Sequence, residues 1–271
     1  MKKEKTCKIV FSDIDGTLLT SDGQITEGTK EMILNLEKKG IPFILTSARS
    51  PEGVRVIKRM LGNHAPIIAF CGGLILDNDG NEIYSKMIPL KRALELKAML
   101  DKDFPAVACN TFGGEKWIVD DRDDWREQRE EKIVGFPAEI GSIKDTFETE
   151  GGIHKFLLMG DSDVMTKLAA VLARDFSDLQ SAASNPEYLE ITAAGVEKSE
   201  GLKTLCGKLG ISLEEAAAFG DGESDLSMMR AAGFGVAMGN APENVRRRAP
   251  MVIGKNDEEG LLKRLKEIFK D

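Results

Sequence analysis

The sequence predicts an α/β protein, in which a doubly wound parallel-sheet core is interrupted by an inserted α+β domain. The first and last thirds of the 271-residue chain alternate short apolar segments with helical ones. This alternation is typical of a parallel sheet covered by helices on both faces. The middle of the chain, roughly residues 81–187, lacks it. Residues 1–82 and 188–271 are therefore predicted to form the core, and residues 83–187 the insert.

In the first third, each apolar segment ends abruptly in small or polar residues. The predicted strands cover residues 8–11, 41–45 and 67–70. Thr26 is placed to cap a helix that runs to Lys39 and stops at Gly40. Ser50 opens a second helix with Pro51 at its first position, where proline is favoured.

The last third repeats the pattern. Helices are predicted over residues 198–209, 226–232 and 258–269, and Gly210 and Gly233 end the first two. Strands are predicted over residues 216–219, 235–238 and 251–253.

The middle segment has a different order of elements. A turn at residues 77–81 leads into a hairpin return at 82–84. Helices are predicted at 89–101 and 163–173, and strands at 116–119 and 153–159. This mixture predicts an α+β insert.

Composition excludes several classes of function. The formal net charge of -8 argues against a nucleic-acid binder, which needs a basic surface. The cysteines form no CxxC pair and the two histidines are isolated, so neither a zinc site nor a disulfide scaffold is expected. No apolar run reaches the ~18 residues of a spanning helix. Residues 1–5 lead into an apolar run too short for a signal peptide, so a cytoplasmic protein that binds no membrane is expected.

Polar or small residues directly follow five of the predicted strands. In a parallel sheet, ligands bind at the carboxyl ends of the strands. Five coincidences of this kind predict one convergent site. The residues are Asp13, Ser47, the pair Gly72 and Gly73, Asp221 and Asn240.

The segment 13–17 contains two aspartates, Asp13 and Asp15, directly after a strand. Two carboxylates in one crevice repel each other unless a cation or a proton intervenes. Gly16 permits a tight backbone turn. The plainer alternative is a turn closed by an aspartate side chain and capped by Thr17.

A second acidic group lies at residues 220–225, where Asp221 and Asp225 stand four residues apart. Acids at a helix start can act simply as caps or as partners of the helix dipole. Beside Asp13 and Asp15, however, a shared hard cation is the better interpretation, and magnesium binds through such oxygens.

Lys198 and Ser47 also have plainer alternatives. A lysine near a helix start is usually solvated surface, and serine is a common cap. Both become candidates for the site only in combination with the acidic groups.

Together these residues resemble the haloacid dehalogenase superfamily of phosphatases, and within it the Cof-type subclass IIB, whose mixed α/β cap domain matches the insert. The resemblance covers nearly the whole chain. It rests on segments 13–17, 46–49, 220–225 and 235–241 and on Lys198. Three residues depart from the subclass pattern: Ala48 replaces the usual Gly, and Cys71 and Ser224 replace Asn. No departure removes a charged group, so they bear on hydrogen bonding and substrate fit.

The resemblance implies a magnesium-dependent phosphatase. Asp13 attacks phosphorus and forms an aspartyl phosphate, and Asp15 serves first as acid for the leaving group and then as base for water. Magnesium is held by Asp13, the backbone carbonyl of Asp15 and Asp221. Asp225 orients a metal-bound water or Lys198.

The resemblance also implies residues that bind the phosphate and the substrates they serve. The phosphate ligands implied are Ser47, Lys198, Gly16, Arg49 and Asn240. The substrate is a small phosphorylated metabolite such as a sugar phosphate, while flavin mononucleotide and pyridoxal phosphate fit as well. Cap side chains are expected to select the leaving group. Four residues are candidates for this role, but a solvated charged helix with a buried tryptophan is an equally simple explanation. None of the four is assigned to the site: Arg122, Arg126, Trp117 and Trp125.

Several alternatives stay open at this point. A phosphomutase or another phosphotransferase would share Asp13 and the metal but pass the phosphate to an acceptor other than water. A sensor of metabolite phosphates on a degenerate core is disfavoured, because a binder has no need of Asp15. A dehalogenase is disfavoured by the same acid and by the full metal set. Monomer and homodimer are both compatible with the sequence.

Overall fold

The computed structural model describes residues 6–270, which divide into two compact units. The first unit comprises Met1–Tyr84 and Glu197–Asp271, and the second comprises Ser85–Val196. Residues 1–5, on which the expectation about a signal peptide rests, lie outside the described residues. Among residues 6–270, no helix combines the length and the apolar character needed to cross a membrane.

The strands, in chain order, are β1 (Ile9–Ser12), β2 (Phe43–Thr46), β3 (Ile67–Ala69), β4 (Leu74–Leu76), β5 (Glu82–Ser85), β6 (Ile88–Pro89), β7 (Ala108–Gly113), β8 (Lys116–Val119), β9 (Glu139–Ile140), β10 (Gly152–Ile153), β11 (Lys155–Met159), β12 (Leu179–Asn185), β13 (Tyr188–Ala193), β14 (Ala216–Gly220) and β15 (Phe234–Ala237). The α-helices are α1 (Glu27–Lys38), α2 (Pro51–Leu61), α3 (Leu90–Asp103), α4 (Trp125–Val134), α5 (Ile143–Phe147), α6 (Ser162–Asp175), α7 (Lys198–Leu209), α8 (Leu226–Ala231), α9 (Glu243–Arg246) and α10 (Gly260–Phe269).

The first unit is built on a seven-stranded sheet in the order β15-β14-β1-β2-β3-β4-β5. Parallel ladders join β1 to β14 and to β2, and continue outward to β15 and β3. β4 pairs antiparallel with β3. Every residue of β1, β2 and β14 is buried, as expected of strands covered on both faces. The predicted α/β parallel-sheet core is confirmed.

Local sequence explains where the helices of this unit begin. The Thr26 hydroxyl accepts a hydrogen bond from the Thr29 amide at the start of α1. The Ser50 hydroxyl does the same for Gly53 in α2, whose first residue is Pro51. Such caps satisfy amides that have no partner inside the helix.

Large apolar side chains from the strands and from α7 form the core beneath the sheet. Phe11, Ile44, Ile68 and Leu202 are completely buried in one cluster. Burying a side chain of this size stabilises the fold by about 1.5–3 kcal/mol. Few aromatic residues are needed, because aliphatic side chains supply most of this cluster.

The second unit has a six-stranded sheet in the order β12-β13-β11-β7-β8-β9 and a two-stranded sheet of β10 and β6. All neighbouring pairs are antiparallel except β8 with β9. An antiparallel sheet with helices α3 to α6 in the same stretch of chain is an α+β arrangement.

The second unit extends further along the chain than residues 83–187. Residues 188–271 were assigned to the core, whereas β13 pairs along its length with both β11 and β12. The chain returns from β12 through a tight turn, so Tyr188–Ala193 completes a hairpin of the second sheet. An apolar strand immediately before a helix looks the same in either unit, which is why the sequence placed it in the core.

Two predicted strands differ in the structure. Residues 251–253 make only an isolated bridge between Val252 and Ala237. The segment 153–159 divides at His154, because Ile153 pairs with Ile88 of β6 while β11 joins the larger sheet.

Candidate active site

The strand β1 ends at Ser12, and the next residues form a tight turn that places two acids at the carboxyl end of the strand, Asp13 buried and Asp15 exposed. The Asp13 amide donates to the Phe219 carbonyl at 2.9 Å, which ties this edge to β14. Residues Ile14–Leu18 form a single π-helical turn in which Gly16 is left-handed, with φ of 75°. A Cβ atom on Gly16 would lie 2.3 Å from Asp221 Oδ2. The glycine therefore lets the two acidic segments come into contact.

Three side chains from distant parts of the sequence meet at Lys198. The Lys198 ammonium donates to Asp13 Oδ1 at 2.6 Å and to Asp225 Oδ1 at 2.5 Å. The exposed fractions of the side chains are 2% for Lys198, 9% for Asp13 and 1% for Asp225. Charge-assisted hydrogen bonds out of water hold these atoms in defined positions. This lysine is therefore not a solvated surface residue.

Asp225 also organises the backbone of the loop before it. Its Oδ2 accepts hydrogen bonds from the amides of Asp221 at 3.0 Å and Gly222 at 2.8 Å. A Cβ atom on Gly220 would lie 2.3 Å from the Asp225 Cβ, so the loop closes tightly over this carboxylate. With both oxygens engaged, Asp225 orients Lys198 and fixes the position of Asp221.

Asp221 lies between the two acidic segments and receives hydrogen bonds from both sides. Thr17 Oγ1 donates to Asp221 Oδ1 at 3.3 Å, and Asn240 Nδ2 lies 3.4 Å from Oδ2. The same amide nitrogen donates to the Gly16 carbonyl at 2.8 Å, and Asn240 Oδ1 accepts from the Asn256 amide. Asn240 thus links the end of β15 to the turn after β1. Its predicted role as a phosphate ligand stays a prediction.

The charges in this cluster do not balance. Burial, followed by the charge on Asp225, raises the pKa of Asp13 well above its ordinary value, and Lys198 only partly opposes this. Burial and Asp225 also raise the pKa of Asp221 to about 6. Burial alone would lower the pKa of Lys198, but Asp13 and Asp225 raise it well above its usual range. With all three carboxylates ionised, the single ammonium leaves two net negative charges.

This imbalance fits a divalent cation. One oxygen from each of Asp13, Asp221 and Asp225 lies within 4.8 Å of the others, which is close enough for a shared ion. Both Asp225 oxygens accept hydrogen bonds of 3.0 Å or less, whereas the two hydrogen bonds to Asp221 are longer, at 3.3 and 3.4 Å, so Asp13 and Asp221 are the carboxylates that suit a metal. A hard cation with oxygen ligands matches this donor set.

Asp15 points to a different partner. Its carboxylate receives two hydrogen bonds from Arg49, from Nε at 2.9 Å and from Nη2 at 2.6 Å. The sequence predicted Arg49 as a phosphate ligand and did not anticipate this pair.

Ser47 lies at the end of β2, 2% exposed. Its hydroxyl accepts a hydrogen bond from the Arg49 amide at 3.1 Å, and its carbonyl accepts from the Cys71 amide at 2.9 Å. The structure therefore joins the ends of β2 and β3 around this serine. Whether the hydroxyl also binds phosphate stays a prediction.

Sequence reasoning considered Thr17 only as a cap of the turn and assigned no role to Asn256. Thr17 stands inside the segment 13–17, so the motif itself carried the signal. Asn256 donates to the Leu19 carbonyl at 2.9 Å and steadies Asn240 through its backbone amide. No local pattern around Asn256 indicates this contact, because it joins residues more than 200 positions apart.

The four residues of the second unit that were candidates for selecting the leaving group make mostly structural contacts. Trp117 is buried and donates to Asn110 at 2.8 Å. Arg126 pairs with Asp124 and donates to two backbone carbonyls. Arg122 pairs with Glu131. Trp125 is 64% exposed.

Comparison with known proteins agrees with this geometry. A family model described as haloacid dehalogenase-like hydrolase matches residues 10–265. A protein of Haemophilus influenzae is 32% identical over 271 residues, covering 97% of this chain and 98% of the relative. The protein named Phosphatase YwpJ of Bacillus subtilis is 30% identical over 285 residues, covering 97% of this chain and all of the relative.

A solved structure gives the same result for the fold. The crystal structure of a haloacid dehalogenase-like hydrolase from Bacteroides thetaiotaomicron superposes with a TM-score of 0.87 at 26% identity, covering 97% of this chain and 100% of that one. The predicted resemblance to the Cof-type phosphatases is thereby confirmed. The chain belongs to the haloacid dehalogenase-like hydrolase family, and within that family it is a phosphatase.

Proposed function

We propose that this phosphatase hydrolyses phosphate monoesters of small metabolites, with magnesium as cofactor and an aspartyl phosphate on Asp13 as intermediate. The observation that carries the proposal is the buried Lys198, which holds Asp13 and Asp225 beside Asp221. A lysine buried between two carboxylates has no need of a third acid for its own stability. The additional negative charge of Asp221 is explained by a bound cation.

In the first step, a carboxylate oxygen of Asp13 forms a bond to phosphorus while the bond from phosphorus to the leaving oxygen breaks. Lys198 holds Oδ1, so Oδ2 is the oxygen assigned to attack. The leaving oxygen takes a proton from Asp15. In the second step, water attacks phosphorus, Asp15 accepts its proton, and the bond to Asp13 breaks to release inorganic phosphate.

The other residues supply charge and orientation. Asp13, Asp221 and the Asp15 carbonyl would hold magnesium, which when bound offsets the repulsion between the carboxylate and the phosphoryl group. The Lys198 ammonium is a compact positive charge for the phosphoryl oxygens. Ser47 and backbone amides in the turn that contains Gly16 would add hydrogen bonds to the same oxygens.

The substrate class proposed is small phosphorylated metabolites, sugar phosphates among them. Release of inorganic phosphate in the absence of an alcohol or sugar acceptor distinguishes this reaction from that of a phosphotransferase.

The test is the fate of the phosphoryl group in Asp13→Asn. Wild-type protein, incubated with a radiolabelled monoester and magnesium and quenched in acid, should carry label on protein and release inorganic phosphate. Asp13→Asn should retain its circular dichroism spectrum and lose both, because an amide is a poor nucleophile. Asp79→Asn, an exposed aspartate of a turn, is the matched control and should behave as wild type. Retention of more than a few per cent of turnover by Asp13→Asn would remove Asp13 as the nucleophile.

A further inference from the structure

Arg49 pairs with the side chain of Asp15, the predicted acid and base. Nε donates to Oδ2 at 2.9 Å and Nη2 donates to Oδ1 at 2.6 Å, so the guanidinium and the carboxylate meet edge to edge. The exposed fraction of the side chain is 59% for Asp15 but 20% for Arg49. The arginine is therefore the sheltered partner and the aspartate the exposed one.

The backbone of Arg49 is anchored on two sides. Its amide donates to Ser47 Oγ at 3.1 Å, and its carbonyl accepts from the Phe70 amide at 3.0 Å. Its side chain also passes close to α2, because a Cβ atom on Gly53 would lie 3.2 Å from the Arg49 Cβ. The ends of β2 and β3 and the start of α2 thus determine where the guanidinium lies.

The backbone of Asp15 is not helical, although the residue stands inside the turn that follows β1. It lies in the π-helical turn with extended angles, φ of -78° and ψ of 122°, beside the left-handed Gly16. An isolated ion pair at such an exposed position contributes little to stability, roughly 0–1 kcal/mol. A bidentate pair with one partner already fixed does, however, select one orientation of the other partner. What the contact supplies is orientation of a carboxylate.

We infer that Arg49 is a positioning residue for Asp15 and not a ligand of the substrate phosphate. This inference rests on the proposed function, in which Asp15 transfers protons. Two of the three guanidinium nitrogens are directed at Asp15, which leaves the phosphoryl group to Lys198 and the metal. Arg49 then acts on the reaction only through the carboxylate that it orients.

The two roles predict different dependence on the leaving group. A phosphate ligand acts on the phosphoryl oxygens, which all monoesters share. Its loss therefore lowers the reaction rate with every substrate and weakens the binding of inorganic phosphate as an inhibitor. A positioning residue acts on proton transfer to the leaving oxygen. That transfer matters for an alkyl phosphate, whose alkoxide is a poor leaving group, and little for 4-nitrophenyl phosphate, whose phenolate leaves without a proton.

The experiment measures phosphoenzyme formation in single turnovers by rapid acid quench, with magnesium present, for wild type and Arg49→Met. With an alkyl phosphate the rate constant should fall by at least ~10-fold, within the ~10²–10⁴-fold that general acid catalysis contributes. With 4-nitrophenyl phosphate it should stay within about 3-fold, as should the inhibition constant for inorganic phosphate, since neither depends on the proton transfer. Arg49→Lys should not rescue the alkyl substrate, because an ammonium cannot hold both carboxylate oxygens. Arg59→Met, which removes an exposed arginine of α2, is the control for general effects.

A double-mutant comparison isolates the coupling. Once Asp15→Asn has removed the acid, adding Arg49→Met should not further reduce the rate of phosphoenzyme formation with the alkyl phosphate. Equal losses on both substrates, together with weaker inhibition by phosphate, would show that Arg49 binds the phosphoryl group and would overturn the inference. Unchanged rates on both substrates would overturn it as well. A wild-type protein that forms no phosphoenzyme with any monoester would instead overturn the proposed function, so the two failures are distinguishable.

Discussion

At the scale of single residues, Phe70 and Cys71 have backbone angles that disfavour their side chains. Their φ values are 49° and 55°, in the left-handed region. Non-glycine residues pay roughly 1 kcal/mol or more for this conformation, and asparagine tolerates it best. Cys71 stands where the Cof-type pattern has asparagine. The departure therefore costs backbone energy next to Ser47, to which the Cys71 amide donates.

Replacement of Cys71 by asparagine should relieve part of this cost. We expect Cys71→Asn to raise the free energy of unfolding of the first unit by about 0.5–1 kcal/mol. Hydrogen exchange of β2 and β3 amides measures this gain. Cys71→Ala is the matched control, because it removes the thiol without relieving the left-handed strain. A gain of equal size in Cys71→Ala would trace the effect to the thiol.

Sequence reasoning was effective for residues that follow strands and weaker for contacts between loops. Asp13, Ser47, Asp221 and Asn240 were predicted to lie at the strand ends because the carboxyl ends of parallel strands converge, and their functional roles stay predictions. The contact of Arg49 with Asp15 depends on the rotamer of a long side chain, which no spacing reveals.

At the scale of elements, helix α4 buries two of its three acids and exposes apolar side chains. Glu127 and Glu130 are buried, whereas Trp125 and Ile133 are 64% and 57% exposed. The Tyr188 hydroxyl donates to Glu130 at 2.6 Å. Among the described residues, Glu127 Oε2 has no hydrogen-bond partner. Burial raises the pKa of Glu127 to about 8, although a hydrogen bond with Asn110 opposes the rise.

This glutamate should make the second unit less stable as pH rises. Its pKa is higher in the folded chain than the ordinary 4.5, so the folded state binds more protons between pH 4.5 and about 8. Stability from this group is thus lost as pH rises through that range. Glu127→Gln should remove the loss and stabilise the unit at pH 7 by about 2–3 kcal/mol, from 1.36 kcal/mol for each pKa unit. Hydrogen exchange of β7 amides at pH 5 and pH 7 checks this.

The control for that comparison is Glu148→Gln, which changes an exposed glutamate in the same unit. It should reproduce the pH dependence of the wild type. A Glu127→Gln protein with the same slope as wild type would show that Glu127 is ionised in the fold at neutral pH.

Elements were predicted best where the backbone signals were local. Caps such as Ser50 with Pro51 located helix starts to within a residue. The allocation of β13 was missed, because a strand's partners are determined by hydrogen bonds to distant segments and its apolar pattern is the same in either sheet. Val252 similarly forms one bridge, since an apolar triplet needs a continuous neighbouring edge to become a strand.

At the scale of the whole molecule, the site concentrates negative charge in a chain that is already acidic, with a formal net charge of -8. Divalent cations should therefore stabilise the first unit by binding its folded form. At one hundred times the dissociation constant, a ligand adds about 2.7 kcal/mol. The second unit lacks Asp13 and Asp221 and should gain nothing.

Titration with magnesium, followed by hydrogen exchange in both units, tests whether the cation stabilises only the first unit. Protection should rise in β1 and β14 and not in β7 or β11, and EDTA should reverse it and abolish turnover. The gain should shrink below about pH 6, because protons compete for Asp221, whose pKa is about 6. Asp221→Asn should lose the response to magnesium. Full activity in the presence of EDTA would contradict the metal assignment.

The position of β1 in its sheet has a consequence for synthesis on the ribosome. Ile9 leaves the ribosome long before Ala216, its partner in β14. At ~5–20 residues per second, roughly 10–40 s separate the two strands. During that interval one edge of β1 has no native neighbour, while Ser85–Val196, a continuous stretch, can complete its own fold. The nascent first unit must therefore wait, with an open apolar strand, until β14 has been synthesised. We expect chaperone dependence to be set by this delay and not by the final stability of the enzyme.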